Sequence, residues 1–114
     1  MVKSKKKTIT IVIVAIVIII AIYFLISVIQ PPSLNNPESI AWDETGLRFL
    51  ISNTGNGKIL YTTDFNQYEV LINEGLSSPR GIKFRTDTLY VADNTVIQII
   101  DVKGAKIVES ITIP

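Results

Sequence analysis

The sequence contains no cysteine and no histidine. Without cysteine the chain can form neither a disulfide framework nor a thiolate metal site. Without histidine it cannot by itself supply the common zinc sites, histidine acid/base chemistry, or Ser-His-Asp and Cys-His nucleophiles. A clustered basic surface is also lacking, since the residues after the long apolar run carry seven basic and ten acidic side chains, a net charge of −3. Nucleic acid is therefore not an expected partner.

One long apolar run dominates the N-terminal quarter of the chain. From Ile9 to Ile29 there are 21 consecutive uncharged residues, of which 16 are Ile, Val, Leu or Phe. As a helix, this run spans about 31 Å, which matches the roughly 30 Å hydrocarbon core of a bilayer. Strands rarely exceed about ten residues, and the 85 residues that follow are too few to bury such a helix in a soluble core. We therefore predict a transmembrane helix at residues 9–29.

The residues that flank this run indicate whether it is cleaved and in which direction it crosses the membrane. A cleaved signal peptide is the main alternative, but the run exceeds the usual apolar region of about 7–15 residues and residues 27–30 lack a small-x-small cleavage pattern. We favour an uncleaved anchor. Because four lysines (Lys3, Lys5, Lys6 and Lys7) precede the run and none follows it directly, residues 1–8 are predicted to be a cytoplasmic tail. Residues 30–36 form a Pro/Asn spacer, and the rest is predicted to be extracytoplasmic.

Beyond the spacer, the sequence pattern of one segment occurs twice. Short alternating runs typical of strands are separated by turns rich in Gly, Asn and Asp. At an offset of 42 residues, Pro37–Trp42 matches Pro79–Phe84. At an offset of 40 residues, Phe49–Asn53 matches Leu89–Asp93, and Lys58–Leu60 matches Gln98–Ile100. The second copy has the tighter first turn. A period of about 40 residues with four strands is typical of a β-propeller blade. We predict two four-stranded antiparallel blades at residues 37–77 and 78–114, with unrelated hairpins in a small sandwich as the alternative.

The repeated residues resemble a known group of propellers. Pro37–Asp43 followed by Asn56–Leu60, and Ser78–Ile82 followed by Leu89–Asn94, are similar to blade motifs of the NHL, gluconolactonase/regucalcin and strictosidine synthase-like six-bladed propellers. The resemblance covers residues ~36 to 114. It implies an all-β domain after the transmembrane helix, made of two propeller-like blades that belong to an incomplete six-bladed propeller.

The resemblance also implies a candidate metal ligand. Proteins of the gluconolactonase branch bind one divalent cation at the propeller axis through carboxylate and amide side chains beside the blade-opening turn. Glu38 lies at such a position, and its oxygen ligands suit Ca²⁺ or Mg²⁺. The matching residue of the second blade is the cation Arg80, which departs from the family pattern. The alternative for Glu38 is a solvated acid after a turn proline.

Other polar and aromatic residues are expected to be structural. Asn53 and Asp93 end strands, where they either face the channel or cap their own turns. Trp42 and Phe84 are expected to lie in the core between the blades. Lys83 and Arg85 are expected on the solvated face of a strand whose other face carries Ile82 and Phe84.

Two blades cannot close a propeller ring, which needs at least about four. An open pair also exposes apolar faces and strand edges. The chain is therefore expected to be a fragment of a longer protein, a subunit of a symmetric trimer that assembles six blades, or a smaller packing of two modules.

Three functions are compatible with these patterns. The first is a membrane-anchored extracytoplasmic binding or scaffold module with an unknown ligand. The second is a metal-dependent lactone or ester hydrolase similar to gluconolactonase, which needs ligands beyond those of this chain. The third is a small accessory subunit of a membrane complex. The expected partners are the lipid bilayer and either further copies or the remaining blades of a longer chain.

Overall fold

The computed structural model describes residues 2–28 and 30–114. The chain divides into two compact units, Met1–Gln30 and Pro31–Pro114. The first holds one helix, α1, at Val2–Val28. The second is built from strands.

Helix α1 is apolar on all sides. Residues Lys5–Ser27 are long and apolar enough to cross a membrane, and their side chains are exposed along the whole length. The hydroxyl groups of Thr10 and Ser27 donate to the backbone oxygens of Lys6 and Phe24, at 2.9 and 2.8 Å, so they find partners inside the helix as a hydrocarbon environment requires. Length and composition fit both a membrane anchor and a signal sequence.

The helix begins before the predicted span. It starts at Val2, because lysine is a good helix former and the basic tail continues the same helix. The transmembrane bounds 9–29 within this helix stay a prediction. Ile29, the last residue of the predicted span, lies outside the described residues.

The second unit contains two four-stranded antiparallel sheets. The first sheet, called blade 1, consists of β1 (Pro37–Asp43), β2 (Arg48–Asn53), β3 (Lys58–Thr62) and β4 (Glu69–Ile72); the second, blade 2, consists of β5 (Pro79–Arg85), β6 (Thr88–Asp93), β7 (Val96–Asp101) and β8 (Lys106–Thr112). In both blades, each strand pairs with the next strand along the chain. The predicted architecture of one apolar helix followed by two four-stranded antiparallel sheets is confirmed.

The turn between the first two strands differs between the blades as predicted. Trp42 pairs with Phe49 and Phe84 pairs with Leu89, so the offset between the copies falls from 42 to 40 across this turn. In blade 2 only two residues, Thr86 and Asp87, connect Arg85 to Thr88.

The predicted match of the third strands is wrong by two residues. Lys58 pairs with Asn53 and Val96 pairs with Asp93, so Lys58 corresponds to Val96 instead of Gln98. The reason is the loop after β2, which in blade 1 contains the 3₁₀ turn Thr54–Asn56 and in blade 2 is two residues shorter. Because side chains alternate with a period of two, a shift of two residues leaves every side chain on the same face.

The hydrophobic core lies between the two blades. Its buried members are Leu50, Ile59, Leu71 and Ile72 of blade 1 with Leu89, Val91, Ile100 and Val102 of blade 2 or the turn that follows β7. Partly buried residues, including Ala41 and Tyr61 on one side and Ile82 and Phe84 on the other, pack against it. Fully burying one such side chain contributes about 1.5–3 kcal/mol. The two blades are therefore held together by one shared core.

Candidate functional site

Glu38, the predicted metal ligand, lies on the exposed first part of β1. Its Oε1 accepts a hydrogen bond from Arg80 Nη1 at 3.3 Å, and the side chains of Arg80 and Glu38 are 60% and 39% exposed. Arg80, which occupies the matching position of blade 2, is thus the ion-pair partner of Glu38. Among the described residues there is no group of three or more His, Cys, Asp or Glu side chains that could hold a metal ion. A cation at Glu38 stays a prediction.

Asn53 is fully buried and ties down the segment that leads into blade 1. Its Oδ1 accepts from the backbone N–H of Asn35 at 2.6 Å, while its Nδ2 donates to Ser33 O at 3.1 Å and to Asn56 Oδ1 at 2.9 Å. Only the last of these contacts lies in its own turn. Asn53 therefore fixes the lead-in segment 18 to 20 residues earlier in the chain, which its place in the sequence did not indicate.

Asp93 does the same for blade 2 with a carboxylate. Its oxygens accept from the backbone N–H of Ser77 at 3.0 Å and of Ser78 at 2.6 Å, and from Gln98 Nε2 at 3.3 Å. The side chain is buried. Both strand-ending residues are thus structural clamps whose polar atoms are already engaged.

A second buried acid, Asp43, closes the first turn of blade 1. Its carboxylate accepts from Thr45 N at 3.1 Å, Gly46 N at 2.9 Å and Arg48 Nε at 2.9 Å. A side chain at Gly46 would come within 2.6 Å of this carboxylate, so the turn requires glycine. The guanidinium of Arg48 also lies 4.2 Å from the ring centre of Tyr61.

Exposed Asp64 and partly buried Asp87 both have lowered pKa values. Hydrogen bonds from the backbone N–H groups of Gln67 and Asn66 lower the pKa of Asp64. The pKa of Asp87 is lowered by a hydrogen bond with the Thr45 side chain and by the charge of Lys103. The Asp64 carboxylate thus stabilises its own turn, whereas the Asp87 carboxylate connects its turn to Thr45 and Lys103.

Polar contacts join the two blades near their first strands. The Thr54 hydroxyl donates to Pro79 O at 2.5 Å, and the backbone N–H of Ile82 donates to Ser39 Oγ at 3.4 Å. With the pair of Glu38 and Arg80, these contacts fix how β5 lies beside β1.

One side of blade 1 is apolar and partly exposed: Ile51 is buried, whereas the side chains toward the first turn are open. We call it the blade-1 outer face; its members are Ile40, Trp42, Phe49 and Ile51. Ile40 is 51% and Trp42 46% exposed. The rings of Trp42, Phe49 and Phe65 contact one another in a row, with neighbouring centres 4.7 Å apart and ring planes tilted by 57° and 41°. The face also borders a shallow groove of about 240 Å³. Trp42, predicted as inter-blade core, is therefore on the outside, whereas Phe84 packs against the core as predicted.

The opposite side of blade 2 is mixed in character. We call it the blade-2 outer face; its members are Lys83, Tyr90, Ala92, Ile97 and Ile99. Tyr90 is 41% exposed. The alternation of exposed Lys83 and Arg85 with partly buried Ile82 and Phe84 confirms the predicted two-sided strand.

Comparison with known proteins supports the fold and nothing finer. No family model matches the chain, and no curated protein matches it. Among solved structures, the chain is similar to a chain in the crystal structure of a nidogen/laminin complex, with a TM-score of 0.61 and 18% identity over 70% of this chain. The matched region spans 31% of the length of that chain. The domain that follows α1 has a β-propeller-like fold.

Proposed function

We propose that this chain is a single-pass membrane protein that presents a β-propeller-type binding or scaffold module outside the cytoplasm. The observation that carries the proposal is an apolar helix with all its sides exposed, preceding a propeller-like unit whose outer sheet faces carry the exposed side chains of Ile40, Trp42 and Tyr90. The buried polar residues Asn53, Asp93 and Asp43 are all used to hold loops. Interaction through the surface of the blades is thus the function that these residues support best.

The proposed orientation rests on the charges around α1. Four lysines lie at its N-terminal end, whereas residues 30–36 carry no charge. Positively charged residues stay on the cytoplasmic side of a membrane helix. The blades are accordingly proposed to be extracytoplasmic, with α1 retained as the anchor.

The finer family assignment is also a proposal. Pro37, Ile40 and Trp42 of β1 stand at the same register positions as Pro79, Ile82 and Phe84 of β5. This repeated strand is the motif that resembles the NHL and gluconolactonase-type six-bladed propellers. An assembly of six blades around one axis is the arrangement that the resemblance implies.

The absence of native cysteine allows a direct test of the topology. A single cysteine is introduced by Ser4→Cys before the apolar run, or by Glu44→Cys in the exposed first turn of blade 1. Intact cells are then treated with a membrane-impermeant maleimide. The Glu44→Cys protein should be labelled, and the Ser4→Cys protein should be labelled only after the membrane is permeabilised.

Mass spectrometry of the same samples separates an anchor from a signal sequence. A retained anchor leaves the full 12.6 kDa chain in the membrane fraction. A shorter soluble product, or the reverse labelling pattern, would contradict the proposal. The control is the Ile18→Arg/Ile22→Arg variant, which should leave the membrane because each arginine at a helix centre costs about 2.5–3.5 kcal/mol of insertion free energy.

A further inference from the structure

The blade-1 outer face repeats a surface that is already buried elsewhere in the chain. The side of blade 2 that packs against blade 1 contains Ile82, Phe84, Leu89 and Val91. Superposing the two repeats by their strand registers matches these residues with Ile40, Trp42, Phe49 and Ile51, which form the blade-1 outer face. All four matched positions are apolar, and Ile40 and Trp42 are about half exposed where Ile82 and Phe84 pack against the core. The blade-1 outer face therefore has the composition of an inter-blade contact that lacks its neighbour.

The blade-2 outer face is the counterpart of the surface that covers this contact. Inside the chain, Ala41, Leu50, Ile59 and Tyr61 of blade 1 contribute to the side that faces blade 2. The matching residues of blade 2 are Lys83, Tyr90, Ile97 and Ile99. Three of these four are apolar or aromatic, and the methylene stem of a lysine can lie along an apolar surface. One chain thus carries both halves of a second, unfilled inter-blade interface.

We propose that the blade-1 outer face of one copy packs against the blade-2 outer face of a second copy, in the same head-to-tail arrangement that the two blades adopt within the chain. Such a contact is heterologous, so it generates a ring if the rotation closes. Propellers contain about four to eight blades, so a closed ring takes about two to four copies. A symmetry axis along the membrane normal gives every α1 the same orientation.

The charges at the start of β1 and β5 are complementary across this contact. Glu38 and Arg80 occupy the same repeat position with opposite signs, and they pair within the chain at 3.3 Å. In a head-to-tail ring, every Arg80 then lies between two Glu38 side chains, one from its own copy and one from the next. Like charges never become neighbours at this position.

The contact between Thr54 and Pro79 also has an unused equivalent. The matching residues are Asn94, which follows Asp93 as Thr54 follows Asn53, and Pro37. Both are exposed. The Asn94 amide can donate to the Pro37 carbonyl oxygen of a second copy as the Thr54 hydroxyl donates to Pro79 O.

Cysteine cross-linking of the 114-residue chain, solubilised in detergent, tests this arrangement. Ile82 N lies 3.4 Å from Ser39 Oγ within the chain, and the equivalent positions across two copies are Ile40 and Gly81. A side chain at Gly81 meets no atom within 4 Å. An equimolar mixture of Ile40→Cys and Gly81→Cys proteins, treated with a short bifunctional thiol reagent, should give a dimer, whereas neither variant alone should.

Two further variants make the result decisive. The Ser39→Cys/Ile82→Cys chain should cross-link within itself, because it reports the same contact inside one copy. A chain with both Ile40→Cys and Gly81→Cys should give a ladder whose largest band counts the copies in the ring.

Two outcomes would overturn the proposal. If the Ser39→Cys/Ile82→Cys control reacts but the mixture gives no dimer, the outer faces are free or covered by blades of another polypeptide. If Ile40→Cys alone gives the dimer, the copies meet through identical faces. Neither outcome bears on membrane orientation, which the maleimide labelling measures separately.

Discussion

The two blades use different residues for the same structural task. Asn53 and Asp93 stand at one position, each paired with the proline that opens the blade. Both accept backbone N–H groups of the lead-in segment, but only Asn53 also donates, to Ser33 O and Asn56 Oδ1. In blade 2 the side chain of Gln98 donates to Gly75 O, the atom that matches Ser33 O, and also to Asp93 Oδ2. Holding the segment that leads into each blade therefore requires a buried hydrogen-bond acceptor at this position, whereas the donors around it can differ.

The blades also differ in what their equivalent apolar faces contact. Phe84 packs against the shared core, while its equivalent Trp42 is nearly half exposed. The residues are similar and the strands are in the same register, so the difference comes only from the presence of a neighbouring blade. Burial in a repeat protein is decided by the neighbour as much as by the repeat.

Giving each blade the clamp residue of the other, through Asn53→Asp or Asp93→Asn, should have the largest effect on the free energy of unfolding. Asn53→Asp places a carboxylate against Ser33 O and Asn56 Oδ1, and losing both donated bonds should lower the free energy of unfolding by about 2–6 kcal/mol. Asp93→Asn keeps one acceptor oxygen for Ser78 N, so it should cost about 1–3 kcal/mol. Urea unfolding of the full chain in detergent measures both. Equal losses would show that the two clamps are chemically interchangeable.

A pair of identical substitutions in blade 2 tests the location of the core. Val91 is 0% and Val108 54% exposed. Val91→Ala should lower the free energy of unfolding by about 1.5–3 kcal/mol because it removes buried apolar surface, whereas Val108→Ala should stay within about 0.5 kcal/mol. Similar values for the two variants in urea unfolding would contradict a core between the blades.

The short first turn of blade 2 offers a stabilising change. Thr86 and Asp87 have positive φ angles of 50° and 58°, a conformation that suits Asn and Gly and strains a β-branched residue. Thr86→Asn should therefore raise the free energy of unfolding by about 0.5–1 kcal/mol. The control is Thr63→Asn at an exposed position outside the strands. A thermal melt in which the control gains as much as Thr86→Asn would remove the turn as the cause.

The smallest expected effect is on the acid stability of blade 1. Backbone N–H groups of Gln67 and Asn66 lower the pKa of Asp64 below its ordinary value of 3.8 in the folded chain. The folded state thus holds the proton less tightly than the unfolded state, so this contribution is present above the ordinary pKa and is lost as the pH falls through the lowered one. Asp64→Asn should flatten the decline of the melting temperature below about pH 4. If the melting temperature of the variant declines as steeply below about pH 4 as that of the unchanged chain, the turn does not depend on the charge of Asp64.

Sequence patterns predicted the fold better than the contacts of single residues. Alternation placed Lys83 and Phe84 on opposite sides of β5, because the period of two is a local property of strands. The predicted match of Lys58 with Gln98 was wrong because the loop after β6 is two residues shorter than the loop after β2. A difference of two residues leaves the alternation of apolar and polar residues unchanged, so the sequence pattern does not reveal it. The clamping of residues 33–35 by Asn53 was missed because no local pattern encodes a contact across 18 to 20 residues.

The sequence by itself determined the apolar helix, the strand-rich repeat and the face on which each strand residue lies, since these follow from hydrophobic periodicity within a few residues. Only the tertiary structure decided which face of each blade meets the other, because both faces of blade 1 are apolar. It also decided that Glu38 pairs with Arg80, 42 residues away. Contacts of that range depend on the register and packing of whole sheets, which no short segment specifies.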